Sequence, residues 1–336
     1  MKLKKIAALS TAVIMSASML VGCGNNKSKE NTDKSFKIGM VADIGGINDE
    51  SFNQSAWEGL QKAEKDFGIE VKVIESKQAS EYLQNMESLL DEDVDMVIGV
   101  GYTMKEDIEK QAKNYPDKQF VLIDETYDSI PENVTPILFR ENEAAYLTGL
   151  VAGKMTENNN VGFIGGIQTP VISRFEYGYK AGVKEANKDC NVNVQYAGTF
   201  SDAAKGKSIA NQMYGNGSDI ILAAAGGTGL GSIESAKEQN KYAIGVDRDQ
   251  SDLAPKNVLT SALKKVNVGV YDTVKEFIEG KLKGGQEKVY GLKEDGVGIP
   301  ETTKNLVPQE IIDYVNSMIE KIKNDEIKVP ATEEEY

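Results

Sequence analysis

The feature that most constrains the fold of this 336-residue chain is an internal repeat with an offset of 123 positions. Phe52 and Phe175 are 123 positions apart, and so are Asp124 and Asp247. The same offset relates four further pairs, namely Gly39 and Gly162, Gly59 and Gly182, Ala63 and Ala186, and Asp66 and Asp189. Because the spacing holds without a net gap from Gly39 to Asp124, the sequence predicts one structural unit repeated in tandem.

Each half alternates short, apolar, β-branched runs with amphipathic stretches. The first half has the runs KIGMVAD, VKVIE, DMVIGVG and QFVLID, with helices predicted at 51–66, 80–91 and 104–113. The second half has NVGFIGG, VNVQYAGTF, DIILAAAGG and YAIGVD, with helices predicted at 174–188, 202–214 and 229–239. This order is typical of a parallel sheet with helices on both faces. We therefore expect an α/β protein of two doubly wound lobes.

The repeated phenylalanines and aspartates occupy positions where such sheets bind ligands. Phe52 and Phe175 each lie near the start of the helix after the first strand of their half, and Asp124 and Asp247 each end a strand. Ligands of open parallel sheets bind beyond the carboxyl ends of the strands. We expect all four side chains to face a cleft between the lobes.

The N-terminus has the pattern of an export signal. A basic start is followed by an apolar stretch, 6–20, and by Leu-Val-Gly-Cys ending at Cys23. The apolar stretch has about 15 residues, fewer than the roughly 20 that span a bilayer. We predict a signal peptide at 1–22 and a flexible tether within 23–35. Resemblance to bacterial lipobox sequences implies diacylglycerol on Cys23, and hence an extracytoplasmic, lipid-anchored protein.

Composition excludes several classes of site. The chain has no histidine, so Ser-His-Asp triads, Cys-His dyads and histidine-bound zinc are excluded. If Cys23 carries lipid, Cys190 is the only remaining thiol, and we expect neither a disulfide nor a thiolate metal site. The formal net charge of −14 makes nucleic acid an unfavourable partner. We expect a protein without metal or cofactor, in which only carboxylate chemistry stays formally open.

Six motifs are distributed along the chain, namely DIGGINDESFNQSAWEGL (43–60), RFEYGYKAGV (174–183), AAGGTGLGSIE (224–234), IGVDRDQ (244–250), TSALKKVNVGVYD (260–272) and EIKVP (326–330). They resemble the basic membrane protein family of lipoproteins, whose best-understood members are purine nucleoside receptors of ABC importers. The resemblance implies a type I periplasmic-binding-protein fold, with two lobes joined by three crossovers near 138–142, 259–264 and 288–296.

The expected lobes are discontinuous in sequence. Lobe 1 would comprise 36–139 and 264–290, and lobe 2 would comprise 140–263 and 291–330, followed by an acidic tail at 331–336. Helices at 266–281 and 308–323 would complete lobe 1 and lobe 2, respectively.

The resemblance and the repeat together suggest ligand contacts on lobe 1, with Phe175 facing them from lobe 2. Phe52 and Phe175 would enclose a planar base, although Phe52 also fits the apolar stripe of its helix. Asp49 and Asn48 could bind ligand or cap the following helix. Asn53 would contact a purine edge, because its amide both donates and accepts, although it could also be a solvated side chain. Asp124 would accept from the base, with Asp43 in the polar lining, unless these aspartates are simple turn residues.

Lobe 2 and the second crossover contribute the remaining candidates. The resemblance makes Asp247 a ribose ligand, with Asp249 as the alternative. It makes Lys264 a sugar ligand, with Lys265 as the alternative, although either lysine could instead be a solvated surface charge. Gly226 and Gly227 would present backbone N–H groups or serve only a tight turn. The glycine motif lacks the spacing of a phosphate-binding loop.

The leading hypothesis is a lipid-anchored, monomeric substrate-binding protein that captures purine nucleosides, such as guanosine, adenosine or inosine, and delivers them to an ABC permease. One alternative is a receptor for a sugar, an autoinducer or another small metabolite on the same fold. Others are a sensor lipoprotein without transport and a nucleoside hydrolase that works through carboxylates.

Overall fold

The computed structural model describes residues 36–336. The predicted signal peptide (1–22), the lipidation site Cys23 and the tether that follows it lie outside the described residues. Within residues 36–336, no helix is both long enough and apolar enough to cross a membrane.

The elements follow the predicted alternation of strands and helices. The first half forms β1 (Lys37–Ala42), α1 (Phe52–Phe67), β2 (Glu70–Glu75), α2 (Tyr82–Asp91), β3 (Met96–Val100), α3 (Lys105–Asn114), β4 (Gln119–Ile123), β5 (Val134–Phe139) and α4 (Glu141–Met155). The second half forms β6 (Asn160–Gly165), α5 (Pro170–Ala186), β7 (Asn191–Tyr196), α6 (Ala203–Gly215), β8 (Ile220–Ala224), α7 (Gly227–Gln239), β9 (Tyr242–Asp247) and β10 (Val258–Lys264). The C-terminal part forms α8 (Val266–Ile278), β11 (Lys288–Tyr290), β12 (Val297–Gly298) and α9 (Gln309–Lys323).

The strands form two six-stranded sheets with the same order. Lobe 1 contains the sheet β11-β5-β4-β3-β1-β2, and lobe 2 contains the sheet β12-β10-β9-β8-β6-β7. The strand pairs are parallel except for β10 with β12. Every residue of β3 and of β8 is buried, because helices cover both faces of a parallel sheet. Two doubly wound lobes therefore explain the repeat.

Between Phe36 and Tyr336, the chain passes between the sheets three times. It leaves the sheet of lobe 1 after β5, returns to it after β10, and leaves it again between β11 and β12. The segment 259–264, where the sequence suggested a crossover, is instead part of strand β10, and the crossing follows Lys264. Helix α8 then packs against α1, while α4 packs against α5 and α9.

Close helix packing explains one repeated glycine pair. A Cβ atom on Gly59 of α1 would lie 2.4 Å from the carbonyl oxygen of Asn267 in α8. A Cβ atom on Gly182 of α5 would lie 2.0 Å from the carbonyl oxygen of Tyr146 in α4. In both lobes, the helix after the first strand thus contacts the backbone of the helix that follows a crossover, at a distance that only glycine permits.

Helix α5 begins at Pro170, four residues before the predicted start at 174. The side chain of Thr169 caps it by accepting a hydrogen bond from the N–H of Ile172 at 3.3 Å. Proline is favoured in the first turn, where its missing N–H has no intrahelical partner. The earlier start extends α5 toward the carboxyl ends of the strands in the sheet of lobe 2.

Candidate functional site

A cavity lies between the lobes at the carboxyl ends of their strands. Its lining comes from both lobes and includes all the residues predicted as ligand contacts except Asn48. Asn48 is exposed and lies outside the lining, so the structure does not bring this predicted contact to the cavity. Within residues 36–336, no group of three or more histidine, cysteine, aspartate or glutamate side chains could hold a metal ion.

Asp49 caps helix α1 and also reaches the cavity wall. Its carboxylate accepts from the backbone N–H groups of Ser51 and Asn53 at 2.9 Å and of Gln54 at 3.1 Å. Those bonds stabilise the N-terminus of α1, where the first N–H groups lack intrahelical acceptors. The structure therefore favours capping as the main role of Asp49, and this cap fixes where Phe52 begins the helix.

Asn53 holds two carboxylates in place. Its Nδ2 donates to Asp43 Oδ1 at 2.8 Å and to Asp49 Oδ2 at 2.9 Å, and its Oδ1 accepts from the Asp43 N–H at 3.0 Å. Both amide hydrogens are therefore already engaged, which disfavours the expected donation to a purine edge. The sequence analysis did not consider that a short amide side chain in the first turn of a helix can bond to two nearby carboxylates, here Asp43 and Asp49.

Asp43 is half-buried and has an oriented carboxylate. Its Oδ1 accepts from the N–H of Gly45 at 2.8 Å as well as from Asn53. Burial raises the pKa of Asp43 from 3.8 to about 6, although these two hydrogen bonds act in the opposite direction. Asp43 therefore binds a proton more readily than an exposed aspartate does.

A chain of four alternating charges runs beneath the cavity. Arg174 donates from Nε to Glu141 Oε2 at 2.7 Å and from Nη2 to Oε1 at 3.4 Å. Lys264 Nζ lies 3.3 Å from Glu141 Oε1 and donates to Asp124 Oδ2. Burial would lower the pKa of Lys264, but the nearby carboxylates raise it. The ammonium group therefore keeps its proton and compensates Asp124.

The ion pair leaves one oxygen of Asp124 available. Asp124 Oδ1 is buried and has no hydrogen-bond partner among residues 36–336. An unpaired buried acceptor costs free energy until a donor reaches it. Asp124 and Asp247, the repeat-related pair, both have positive φ, 75° and 63°. Such conformations are uncommon outside glycine and turn each aspartate out of its strand toward the cavity.

The structure separates the two pairs of alternatives in lobe 2. Asp247 lines the cavity, accepts from Ser51 Oγ and has a pKa raised to about 6 by burial, against the charge of Lys264. Asp249 lies outside the lining and accepts from the Thr302 hydroxyl at 2.7 Å. Lys265 points away and pairs with Asp295 at 2.8 Å. Asp247 and Lys264 are thus the candidates that reach the cavity.

Aromatic rings line the cavity from both lobes. Phe52 comes from lobe 1 and Phe175 from lobe 2, and Lys264 Nζ lies 4.7 Å from the centroid of the Phe52 ring. Tyr102 and Phe200 also line the cavity and were missed by the sequence analysis. They lie just beyond β3 and β7, so the strand-end rule that selected the aspartates could have found both.

The glycine turn at the start of α7 packs against Phe200. Gly226 has a φ of 53°, and a Cβ atom there would lie 3.2 Å from the Phe200 carbonyl oxygen. That oxygen accepts from the N–H of Thr228 at 3.1 Å. Among the residues that the structure describes, no side chain caps α7, and Gly226 and Gly227 both border the cavity. Tight packing therefore accounts for Gly226, and it leaves the helix N-terminus facing the site.

Known proteins are similar to this chain in sequence and in architecture. The chain is 39% identical to the CD4+ T-cell-stimulating antigen of Listeria monocytogenes, over 97% of this chain and 99% of that protein. It is 38% identical to the ABC transporter nucleoside-binding protein BmpA of Lactococcus lactis, over 98% and 99% of the two chains. A solved structure of an ABC transporter solute-binding protein from Aeropyrum pernix superposes with a TM-score of 0.82 at 26% identity, covering 89% of this chain and 95% of that one.

These similarities confirm the predicted type I periplasmic-binding-protein fold and a substrate-binding role rather than an enzymatic one. Substrate-binding proteins of ABC importers work outside the cytoplasm, in agreement with the expected extracytoplasmic location. The family described as PnrA-like ABC transporter substrate-binding proteins, Bmp, matches residues 36–333. The chain belongs to this family.

Proposed function

We propose that the protein binds purine nucleosides between its lobes and delivers them to an ABC permease. The observation that carries the proposal is a cavity with one phenylalanine from each lobe, Phe52 and Phe175, above buried acceptors. Stacking on aromatic rings suits a planar base, whereas a sugar alone needs no such pair. The nucleoside-binding relative of Lactococcus lactis supports the same ligand class.

The polar side chains of the cavity fall into two sets, one suited to contact the base and the other suited to contact the sugar. Asp124 Oδ1 lacks a donor and is suited to accept from a base N–H or an exocyclic amine. Asp247 and Lys264 lie in the same lining, where a carboxylate can accept from vicinal ribose hydroxyls and an ammonium can donate to them. Closure of the lobes completes these bonds and favours the bound state.

The direct test is to identify the small molecule that co-purifies with the chain from Phe36 onward. Mass spectrometry of the denatured protein should identify a purine nucleoside. A thermal-shift panel should then rank guanosine, adenosine and inosine above uridine and free ribose. If free ribose stabilises the protein more than every nucleoside does, the proposed ligand class is wrong.

Affinity for the nucleoside should fall as the pH decreases through about 6. Asp43 and Asp247 have pKa values raised to about 6, so acidification protonates them and removes ionised acceptors. One such group predicts roughly tenfold weaker binding at about pH 5 than at about pH 7.5. Calorimetry at both pH values measures the change.

The stability of the ligand-free protein should change with pH in the opposite direction to the affinity, because of the same two groups, Asp43 and Asp247. Because their folded pKa values lie above the unfolded value, the folded state binds more protons between about pH 4 and pH 6. Their contribution to the free energy of unfolding therefore increases as the pH falls.

A nucleoside affinity that is unchanged at about pH 5 would contradict the proposed roles of these carboxylates in binding. Thermal unfolding without ligand checks that acid has not simply unfolded the protein.

We also propose that the protein is a monomer held at the membrane by lipid on Cys23. The motif Leu-Val-Gly-Cys and the polar residues after it support this anchor. In cells fed radiolabelled palmitate, the native protein should take up label and sediment with membranes. The variant Cys23→Ala should do neither. A soluble native protein without label would exclude the anchor and leave the binding proposal untouched.

A further inference from the structure

Outside the cavity, a set of polar bonds joins the lobes, and we refer to it as the clasp. Arg248 of lobe 2 donates from Nη1 to Glu50 Oε2 at 2.7 Å and from Nη2 to Glu58 Oε1 at 2.9 Å, both in lobe 1. Gln250 of lobe 2 donates from Nε2 to the backbone carbonyl of Glu50 at 2.8 Å. A further bond between the lobes, from Ser51 to Asp247, lies next to the clasp at the cavity.

The lobe 2 side of the clasp is preorganised. Gln250 is buried, its Oε1 accepts from the N–H of Val246 at 3.0 Å, and its own N–H donates to Ser261 Oγ at 3.1 Å. These bonds orient the Nε2 group toward lobe 1 before any contact forms. A donor that is already oriented loses little conformational entropy when it binds its acceptor.

The lobe 1 side of the clasp is strained. Glu50 has a φ of 52°, in the left-handed region that non-glycine residues rarely occupy. Its backbone oxygen and its carboxylate are both bound by lobe 2. Strained conformations persist where the surroundings determine them strongly. Here the opposite lobe supplies part of that constraint.

This strained segment directly precedes Phe52. Asp49 caps α1, and Phe52 is the first residue of that helix, so the conformation of 49–51 sets the position of the ring. Neither Arg248 nor Gln250 lines the cavity. We propose that Arg248 and Gln250 are positioning residues, which on lobe closure lock the segment 49–51 and hold the Phe52 ring over the ligand.

The inference rests on the proposed nucleoside binding and extends it to kinetics. Opening at the crossovers separates the lobes and breaks each bond of the clasp, so the clasp opposes ligand release. Interactions that form only after encounter act mainly on the dissociation rate. Because the clasp is charged, salt should weaken it.

The test compares Arg248→Met with a matched control, Lys207→Met, in the whole protein. Lys207 also bridges two glutamates, Glu234 at 3.0 Å and Glu238 at 2.9 Å, but entirely within lobe 2. Its side chain is 28% exposed, against 25% for Arg248. The two substitutions therefore remove equivalent charges and differ in whether the lobes are linked.

Stopped-flow binding uses the tightest binder among guanosine, adenosine and inosine as the probe. Arg248→Met should accelerate dissociation about three- to tenfold, with the association rate nearly unchanged. Lys207→Met should behave as the native protein does, and Arg248→Lys should recover part of the loss. Raising the salt concentration should accelerate dissociation of the native protein more than that of Arg248→Met. Equal dissociation rates for Arg248→Met and Lys207→Met would overturn the proposal.

A second readout is local protection in the closed state. In the presence of saturating nucleoside, hydrogen–deuterium exchange at the amides of 50–54 should be faster in Arg248→Met than in Lys207→Met or the native chain. Failure of all three nucleosides to bind the native protein would refute the proposed function. Normal nucleoside binding with unchanged exchange at 50–54 would instead refute the clasp alone.

Discussion

Replacing Phe52 with alanine should weaken purine nucleoside binding about 5- to 150-fold, because base–aromatic stacking contributes roughly 1–3 kcal/mol per base. Phe52 is only partly buried and begins α1, so its loss removes one wall of the cavity and little of the core. Phe175 is buried, and its removal would mix a packing defect with the loss of stacking. Isothermal titration calorimetry with guanosine, adenosine and inosine measures the change.

The control lies at the other end of the same helix. Phe67 is also partly buried but stacks on Tyr271, with ring centroids 5.5 Å apart, outside the cavity lining. Phe67→Ala should lower stability and leave affinity unchanged, whereas Phe52→Tyr should retain most of the binding. If Phe52→Ala binds as tightly as the native protein, stacking on this ring does not hold the ligand.

Replacing Lys264 with methionine should lower the free energy of unfolding by about 3–5 kcal/mol, the range observed when one partner of a buried ion pair is removed. Lys264 is 1% exposed, and its ammonium contacts Asp124 and Glu141. Arg174 still compensates Glu141 in the variant, but the carboxylate of Asp124 is left without a cation. Chemical denaturation measures the loss.

Two further variants isolate the cause. Lys265→Met removes the neighbouring charge, which pairs with an Asp295 side chain that is 89% exposed, and should cost no more than about 1 kcal/mol. The double variant Lys264→Met with Asp124→Asn should recover part of the stability, because it no longer buries an uncompensated charge. A Lys264→Met protein as stable as Lys265→Met would show that the buried pair contributes nothing.

Much of the fold could be predicted because its signals are local. The apolar runs and helical periodicities of each half depend on neighbouring residues, and β1 to β4 and β6 to β9 follow them closely. Details that depend on tertiary contacts were not predicted. The run 259–264, expected near a crossover, also forms β10, because it pairs with β9 on one side and β12 on the other.

The site was harder to predict than the fold. Strand-end position brought Asp43, Asp124 and Asp247 to the cavity lining, because the carboxyl ends of parallel strands meet at one edge. It did not reveal that Asn53 uses both amide hydrogens on carboxylates, or that Lys264 neutralises Asp124. The chemical type of a side chain determines which bonds it can make. Which of those bonds are already made in the folded protein depends on the residues that surround the side chain in space.

The sequence by itself determined the two-lobed α/β architecture, the repeat that relates the lobes, and the residue types at the carboxyl ends of their strands. Only the tertiary structure decided which polar atoms stay open to a ligand and which residues clasp the lobes together. Lys264 and Asp124 are separated by 140 positions, and Arg248 and Glu50 by 198. Local patterns carry no information on such pairs, because their energies depend on distances that exist only once the chain has folded.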